Sequence, residues 1–510
     1  MRKSVIGRAV EGIKTARDLR AFAKAEDPVV RANAATHLAR RLGRLRGLPQ
    51  KLGQSLSFSE SDGEPFKPLT EQGEPLALEE VEAILARAWG VPWTKHLTEL
   101  AAHGLAASLG QVHNGRLRDG TAVAVKVAYP GIREAVMADL KMLGWLGRGG
   151  ERFMGGFEYD AYQQVILADL EEELDYVIEA GQQAEYASLA ADEPVVVPGV
   201  IPHLNRNNVL VTAWEPGQTI EMAALWPEAT RHRLGHLLVN HFLTMFFVHG
   251  RLHADPHRGN YRFRSGPKGE QVVLYDYGSV ARFDLRTRML ILKLIFCTAN
   301  GRGEPLDLLN ALGFKQDLLL PISDRLAALC RVIFEPFLDH GRFDQRQWHR
   351  KERLADILGD ERWNFRLSGP AGFVFLIRGF QGVFYYLREL KVSVCWQKLL
   401  EPILKRFFPE MMALSVAPVS TGQARFEAMA RHLCVRVSVG DVTRVSLKFP
   451  AGAVERLGTL MGDELLARIH RQGLKEEEVI RKARRSGYAP GELFTLREKN
   501  KKKIVTVWLE

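Results

Sequence analysis

The sequence predicts an α+β protein with more than one folded unit, and three observations carry that expectation. Its 510 residues exceed a single small module at about 150 residues per domain. Strand signals cluster early, helical periodicity dominates from Pro227 onward, and strand alternation returns at 433–449. Hydrophobic residues at 46 % and charged residues at 25 % match globular averages, which excludes disorder and fibrous architectures. Four cysteines (Cys297, Cys330, Cys395, Cys434) without a C-x-x-C pair speak against a disulfide framework or thiolate zinc site and favour a reducing cytoplasm.

The first element is basic. Residues 1–51 hold 13 Lys and Arg against 4 Asp and Glu, a local +9 within a total of +10, and the remaining 57 basic and 56 acidic residues nearly cancel. Such a patch suits anionic lipid, nucleic acid or an acidic partner, and charge alone does not choose among them. Ile6, Val10, Ile13, Ala16 and Leu19, then Leu38, Leu42, Leu45 and Leu48, recur at helical spacing. They predict amphipathic helices that pack on the protein or lie on anionic membrane. No secretory signal or spanning segment is expected. The greasiest stretches, Leu237–Val248 and Gly372–Tyr386, are short or broken by His241 and Arg378, below the roughly 18 apolar residues a span needs.

After a loop from Phe58 to Pro75, a helix is expected over Leu78–Trp89. A hairpin follows: Gln111–Leu117, the turn Asp119-Gly120, then Thr121–Ala128 with Val123, Val125 and Val127 on one face and Ala124 and Lys126 on the other. One helical stretch is expected over 158–187, strands at 195–201 and 208–214, and a hairpin near 260–275. The tail reads as a separate small α+β unit: strands in 433–449, helices 451–471 and 474–486, and a hairpin of Leu493–Leu496 with Ile504–Leu509.

The strongest chemical signal is His-Ala-Asp-Pro-His-Arg-Gly-Asn at 253–260, followed by Tyr-Asp-Tyr-Gly at 275–278. Asp255 and Asn260 on a short loop, with Asp276 after a hairpin, can bring three oxygen donors around a triphosphate and its Mg²⁺. This matches the kinase pattern H-x-D-x-x-x-x-N followed by D-F-G. A rival reading takes the alternating His253, Asp255 and His257 as a zinc site. Upstream, Val-Ala-Val-Lys at 123–126 has the form of the kinase strand whose lysine reaches the α/β-phosphates. Partners for Lys126 are expected among Glu171, Glu172, Glu173, Asp175 and Glu179. Glu173 and Asp175 fall nearly opposite on an ideal helix, so joint service at one site requires an irregular segment.

Across these motifs the chain resembles the UbiB/ADCK family of atypical protein-kinase-like proteins. Lys51-Leu-Gly-Gln54 is similar to its K-x-G-Q signature, Leu105–His113 (LAASLGQVH) to its alanine-rich phosphate loop, and Glu173-Leu-Asp175 to its E-x-D element. The resemblance covers roughly residues 45–400. It departs at Arg258, where the family has proline, at Tyr277 in place of phenylalanine, and at Leu105, which shortens the alanine run. It implies a two-lobed protein-kinase-like fold with an N-terminal helical extension (1–76), an N-lobe (77–216), a helical C-lobe (217–425) and a small C-terminal α+β domain (426–510).

The resemblance further implies Mg²⁺-dependent ATP binding with ATPase or phosphotransferase activity. Asp255 and Lys126 would be catalytic. Ala106, Ala107, Ser108, Lys126, Glu179 and Glu215 would bind ATP, and Asn260 and Asp276 would bind metal. Lys51 and Gln54 would gate the site with Glu173 and Asp175. Isoprenoid-quinone or other lipid metabolism at a membrane surface is the implied setting, with a lipid or quinone-precursor ligand and no nucleic acid. Two alternatives remain: a small-molecule phosphotransferase of the aminoglycoside-phosphotransferase type, and a non-catalytic, ATP-regulated lipid-binding module.

Overall fold

The structure, a computed structural model, describes residues 75–107, 109–134, 136–137, 159–267, 269–419, 430–440, 442–460, 470, 475–486, 488–498 and 503–510. Lys51, Gln54, Ser108 and the amphipathic helices expected before residue 50 lie outside the described residues. Packing separates two compact units. The first runs up to Arg282 and takes back Ala371–Val392, and the second comprises Phe283–Pro370 and Ser393–Glu510.

The first unit opens with α1 (Leu78–Trp89), as its spacing predicts. An antiparallel sheet follows, built from β1 (Leu97–Leu100), β2 (Leu105–Ala106), β3 (Gly110–Leu117), β4 (Ala122–Ala128) and β6 (Val209–Ala213), in the order β1-β3-β4-β6 with β2 beside β3. Val123, Val125 and Val127 are fully buried and pack with Val81, Leu85 and Trp89 of α1. The period-2 alternation of β4 therefore leaves Ala124 and Lys126 on the opposite face.

The helix expected over 158–187 is two helices, α2 (Tyr159–Glu173) and α3 (Tyr176–Leu189). Asp175 causes the break: its backbone is extended and its side chain accepts from Val177 N at 3.0 Å, capping α3. The strand expected at 195–201 shrinks to β5 (Val195–Val196): Pro198 has no N–H to give a ladder, its carbonyl accepts from Gln183 Nε2 at 2.5 Å, and Val200 makes only an isolated bridge to Thr212. Below these lie α4 (Glu228–Leu243) and β7 (Arg251–His253), then the hairpin β8 (Tyr261–Gly266) and β9 (Gly269–Leu274), and β10 (Val280–Arg282). β5 runs parallel to β9, and β10 pairs antiparallel with β7. The helix Phe373–Leu390 closes this unit.

The second unit combines helices with a four-stranded antiparallel sheet of β11 (His432–Val439), β12 (Val442–Pro450), β13 (Gly491–Glu498) and β14 (Lys503–Leu509), ordered β12-β11-β14-β13. Its core joins Leu433, Phe494, Val505, Val507 and Leu509 to Val479 and Ala483 of the helix Glu476–Arg485. The tail has the predicted α+β form but shares a compact unit with the preceding helices. Buried Arg353, paired with Glu335, stacks 4.5 Å from the ring centre of Tyr488, and Arg331 donates to the Ser486 carbonyl at 2.5 Å. Among the described residues no helix is long and apolar enough to cross a membrane.

Two glycines give opposite expectations. A Cβ on Gly382 would lie 2.0 Å from the Pro256 Cβ, whereas one on Gly181, mid-way along α3, would meet nothing within 4 Å. Gly382→Ala should cost at least about 1–3 kcal/mol by overpacking. Gly181→Ala should add roughly 0.5–1 kcal/mol through helix propensity and lost chain entropy. Urea unfolding of both variants checks the pair, and equal stabilities would contradict the packing.

Candidate active site

Two loops build the site and are stitched together along their length. Pairing of β7 with β10 sets Val280 opposite His253, and Ala254 N donates to the Ser279 carbonyl at 2.9 Å. At the other end Tyr275 N donates to the Asn260 carbonyl at 3.0 Å. Between them His253 bonds through Nε2 to the Asp276 carbonyl. Residues 254–260 and 275–279 therefore form one platform carrying Asp255, Asn260 and Asp276.

Asp276 points its Oδ1 at Gly278 N at 3.0 Å and its Oδ2 at Lys126 Nζ at 3.2 Å. The third residue of Asp-Tyr-Gly has to be small, since a Cβ on Gly278 would come within 2.8 Å of the Glu173 side chain. That contact brings buried Glu173 against the metal loop, while Asp175, at the break in the helix, is spent on the α3 cap. The irregularity that the E-x-D spacing demands is thus present. Tyr277 is fully buried, donates its hydroxyl to the Leu274 carbonyl at 3.1 Å and packs 5.2 Å from Tyr186 and 5.6 Å from His253. The phenol in place of a phenyl ring therefore has its polar atom satisfied.

Lys126 lies between two carboxylates. Its Nζ is 2.8 Å from both oxygens of the fully buried Glu179 and 4.9 Å from the Tyr176 ring centre. Burial opposes charge on the lysine, but Asp276 and Glu179 outweigh it and hold its pKa well above the ordinary value. Burial pushes Glu179 up to about 7, a rise that Lys126 only partly offsets and Asp276 reinforces.

Asp255 accepts from Asn260 Nδ2 at 3.0 Å through Oδ2, and Arg378 Nη2 stands 3.3 Å from its Oδ1. Ala106 belongs to β2 and pairs with Gln111, and Ala107 N donates to the Gly110 carbonyl at 2.8 Å. Glu215 follows β6; its carboxylate pairs with Arg264 at 2.6 Å and its carbonyl accepts from Tyr275 at 2.5 Å. Arg258 lies 3.5 Å from Glu221.

The rival zinc reading finds no support: among the described residues no three His, Cys, Asp or Glu side chains group as a metal cage. The remaining donor set, the Asp276 carboxylate with the Asn260 amide, suits Mg²⁺, which takes one or two protein oxygens and completes its shell with phosphates and water. Sequence reasoning missed one residue at the site, Arg378, which entered only as an interruption of an apolar stretch.

The description ABC1 atypical kinase-like domain matches residues 68–304. The chain is 30 % identical over 264 residues to the mitochondrial atypical kinase coq-8 of Caenorhabditis elegans, covering 50 % of this chain and 35 % of that one. It is 23 % identical to the mitochondrial atypical kinase COQ8B of Rattus norvegicus, covering 76 % and 75 %, and 25 % identical to COQ8 of Saccharomyces cerevisiae, covering 72 % and 75 %. The chain thus spans about a third of the nematode relative and three quarters of the other two. Among solved structures, a Mycobacterium tuberculosis protein, Rv3197, in complex with erythromycin superposes with a TM-score of 0.51 at 25 % identity, covering 73 % of this chain and 96 % of that one. The α+β fold is kinase-like.

Removing Lys126 isolates a buried carboxylate. In Lys126→Met the folded pKa of Glu179 should climb further above the unfolded value of about 4.3. A raised folded pKa means that stability is fully present below the unfolded value and is lost as pH rises through the folded one. The variant should lose about 3–5 kcal/mol relative to the parent at pH 8, and much less at pH 5. Urea titrations at the two pH values check this; a loss independent of pH would show that Glu179 is not the group left uncompensated.

Proposed function

We propose, for a chain that belongs to the UbiB/ADCK family of atypical kinase-like proteins, Mg²⁺-dependent binding of ATP coupled to ATP hydrolysis or phosphoryl transfer. The observation that carries this reading is the convergence of Lys126, Glu179 and Asp276 within 3.2 Å, from β4, α3 and the loop after β9. In this role Lys126 holds phosphate oxygens and Glu179 fixes the direction of its ammonium group. Asp276 and Asn260 hold Mg²⁺, which when bound neutralises phosphate charge. Asp255 receives the proton of the attacking hydroxyl or water. Ala106, Ala107 and Ser108 cover the phosphates. Lys51 and Gln54 gate the site from the basic extension, with Lys51 directed at Glu173 and Asp175.

Isoprenoid-quinone or other lipid metabolism at a membrane surface is the setting we infer. It draws on the relatives' names and on the charge of +9 in residues 1–51. Binding would be peripheral, through that basic segment, at roughly 1 kcal/mol per basic residue near an anionic surface and weakened by salt. The substrate would be a lipid or quinone precursor.

ATP with Mg²⁺ should raise the unfolding free energy by about 2.7 kcal/mol at 100 times Kd. Asp276→Asn should remove most of that shift by replacing a carboxylate ligand with a neutral amide. A thermal shift by ATP that is the same in Mg²⁺ and in EDTA would refute the metal assignment. Separately, the full chain should sediment with phosphatidylglycerol vesicles at low salt, and deletion of residues 1–46 should end this. Equal sedimentation of the truncated chain would move the membrane contact elsewhere.

A further inference from the structure

The helix Phe373–Leu390 is shaped to press on the catalytic loop. A Cβ on Gly379 would meet Leu252 at 3.0 Å, and one on Gly382 would overlap Pro256. Tyr386, one turn further, donates its hydroxyl to the Pro256 carbonyl at 2.9 Å. This approach delivers Arg378 to the candidate base: its Nη2 lies 3.3 Å from Asp255 Oδ1, while Asn260 occupies Oδ2 at 3.0 Å. Both carboxylate oxygens are engaged, one of them by a full positive charge.

A base accepts a proton through an oxygen that the substrate can reach, and Arg378 stands on one of the two. Its side chain is 21 % exposed, so Arg378 is within reach of solvent as well as of Asp255. A second cation, Arg258, lies in the same loop with its side chain 30 % exposed. Guanidinium groups bind phosphates and carboxylates through two parallel N–H donors, a geometry at least as favourable as the single contact to Asp255 seen here.

We propose that Arg378 is the ligand for an oxyanion on the phosphoryl acceptor. The site then takes a hydroxyl compound that also carries a phosphate or carboxylate, and seating that anion draws Arg378 off Oδ1 and frees the base. This rests on the phosphotransfer reading given above. In the transfer the acceptor oxygen bonds to the γ-phosphorus and its proton passes to Asp255. The bond from the γ-phosphorus to the β–γ bridging oxygen breaks, its electron pair leaving on ADP. A neutral acceptor leaves Asp255 capped.

The test uses the full chain saturated with Mg-ADP and titrated with glycerol 3-phosphate or with glycerol. Glycerol 3-phosphate should bind at least roughly tenfold more tightly than glycerol, the scale of one charge-assisted hydrogen bond. R378Q should erase that preference and R378K should keep most of it, while the thermal shift given by Mg-ADP reports whether each variant retains a folded site. Phosphatidylglycerol vesicles that displace radiolabelled glycerol 3-phosphate identify a lipid headgroup as the natural source, and failure to displace it identifies a free solute; both outcomes support the anion site. Equal affinity for glycerol 3-phosphate in R378Q and the parent, or no preference over glycerol in the parent, overturns the inference while Mg-ADP binding survives. A parent chain that does not bind Mg-ADP overturns the phosphotransfer reading itself.

Discussion

Lys126 is the residue through which the first unit is organised. It emerges from a strand whose other face is buried among valines, and it meets one carboxylate from a helix and one from a loop. None of these three elements is adjacent in sequence. A buried ion pair is a weak source of net stability, because desolvating the charges cancels most of their attraction, yet removing either partner is costly. The triad therefore contributes specificity of arrangement: α3 and the Asp-Tyr-Gly loop can lie against the sheet in few ways that keep both carboxylates on Lys126.

The same logic runs outward through uncharged contacts. Tyr186 of α3 packs on Tyr277 and His253, and its hydroxyl bonds His241 of α4, which bonds Glu193 in turn, both at 2.8 Å. A displacement of α3 that breaks the Lys126–Glu179 contact would also disturb the ring packing around the loop that carries Asp276. Burial lowers the His253 pKa, and because a carbonyl can only accept, His253 donates its Nε2–H to Asp276 whether or not the ring is charged. The two loops are thus tied by a hydrogen bond that does not depend on charge.

Much of this was legible in residue types and spacing. Lys126 could be placed opposite Val123, Val125 and Val127 from alternation alone, and Asp255, Asn260 and Asp276 from their order. The break at Asp175 was legible only as a contradiction, two carboxylates of one motif on opposite helix faces, whose resolution is a capping preference that outcompetes helix continuation. The shared packing of the tail was not legible, because a buried Arg353 under Tyr488 leaves no periodic trace. Arg378 did leave a trace. An arginine followed by Gly379 and Gly382 inside an apolar helix sets a charge and two poor helix formers where helix propensity alone would favour none of them, and such local conflict points to a close contact.

The charge balance around Lys126 carries one more consequence. One ammonium faces Glu179 and Asp276, with Glu173 close behind the same loop. Burial holds Glu179 near 7 even with a lysine 2.8 Å from both of its oxygens, and the Asp276 carboxylate adds to the rise. A divalent cation beside Asp276 would offset that carboxylate's charge and lower the cost of keeping Glu179 ionised. Metal bound there would therefore be linked to the Lys126–Glu179 pair through the charge on Asp276. The lysine that would hold phosphate is in this way set most firmly when the metal that accompanies the phosphates is present.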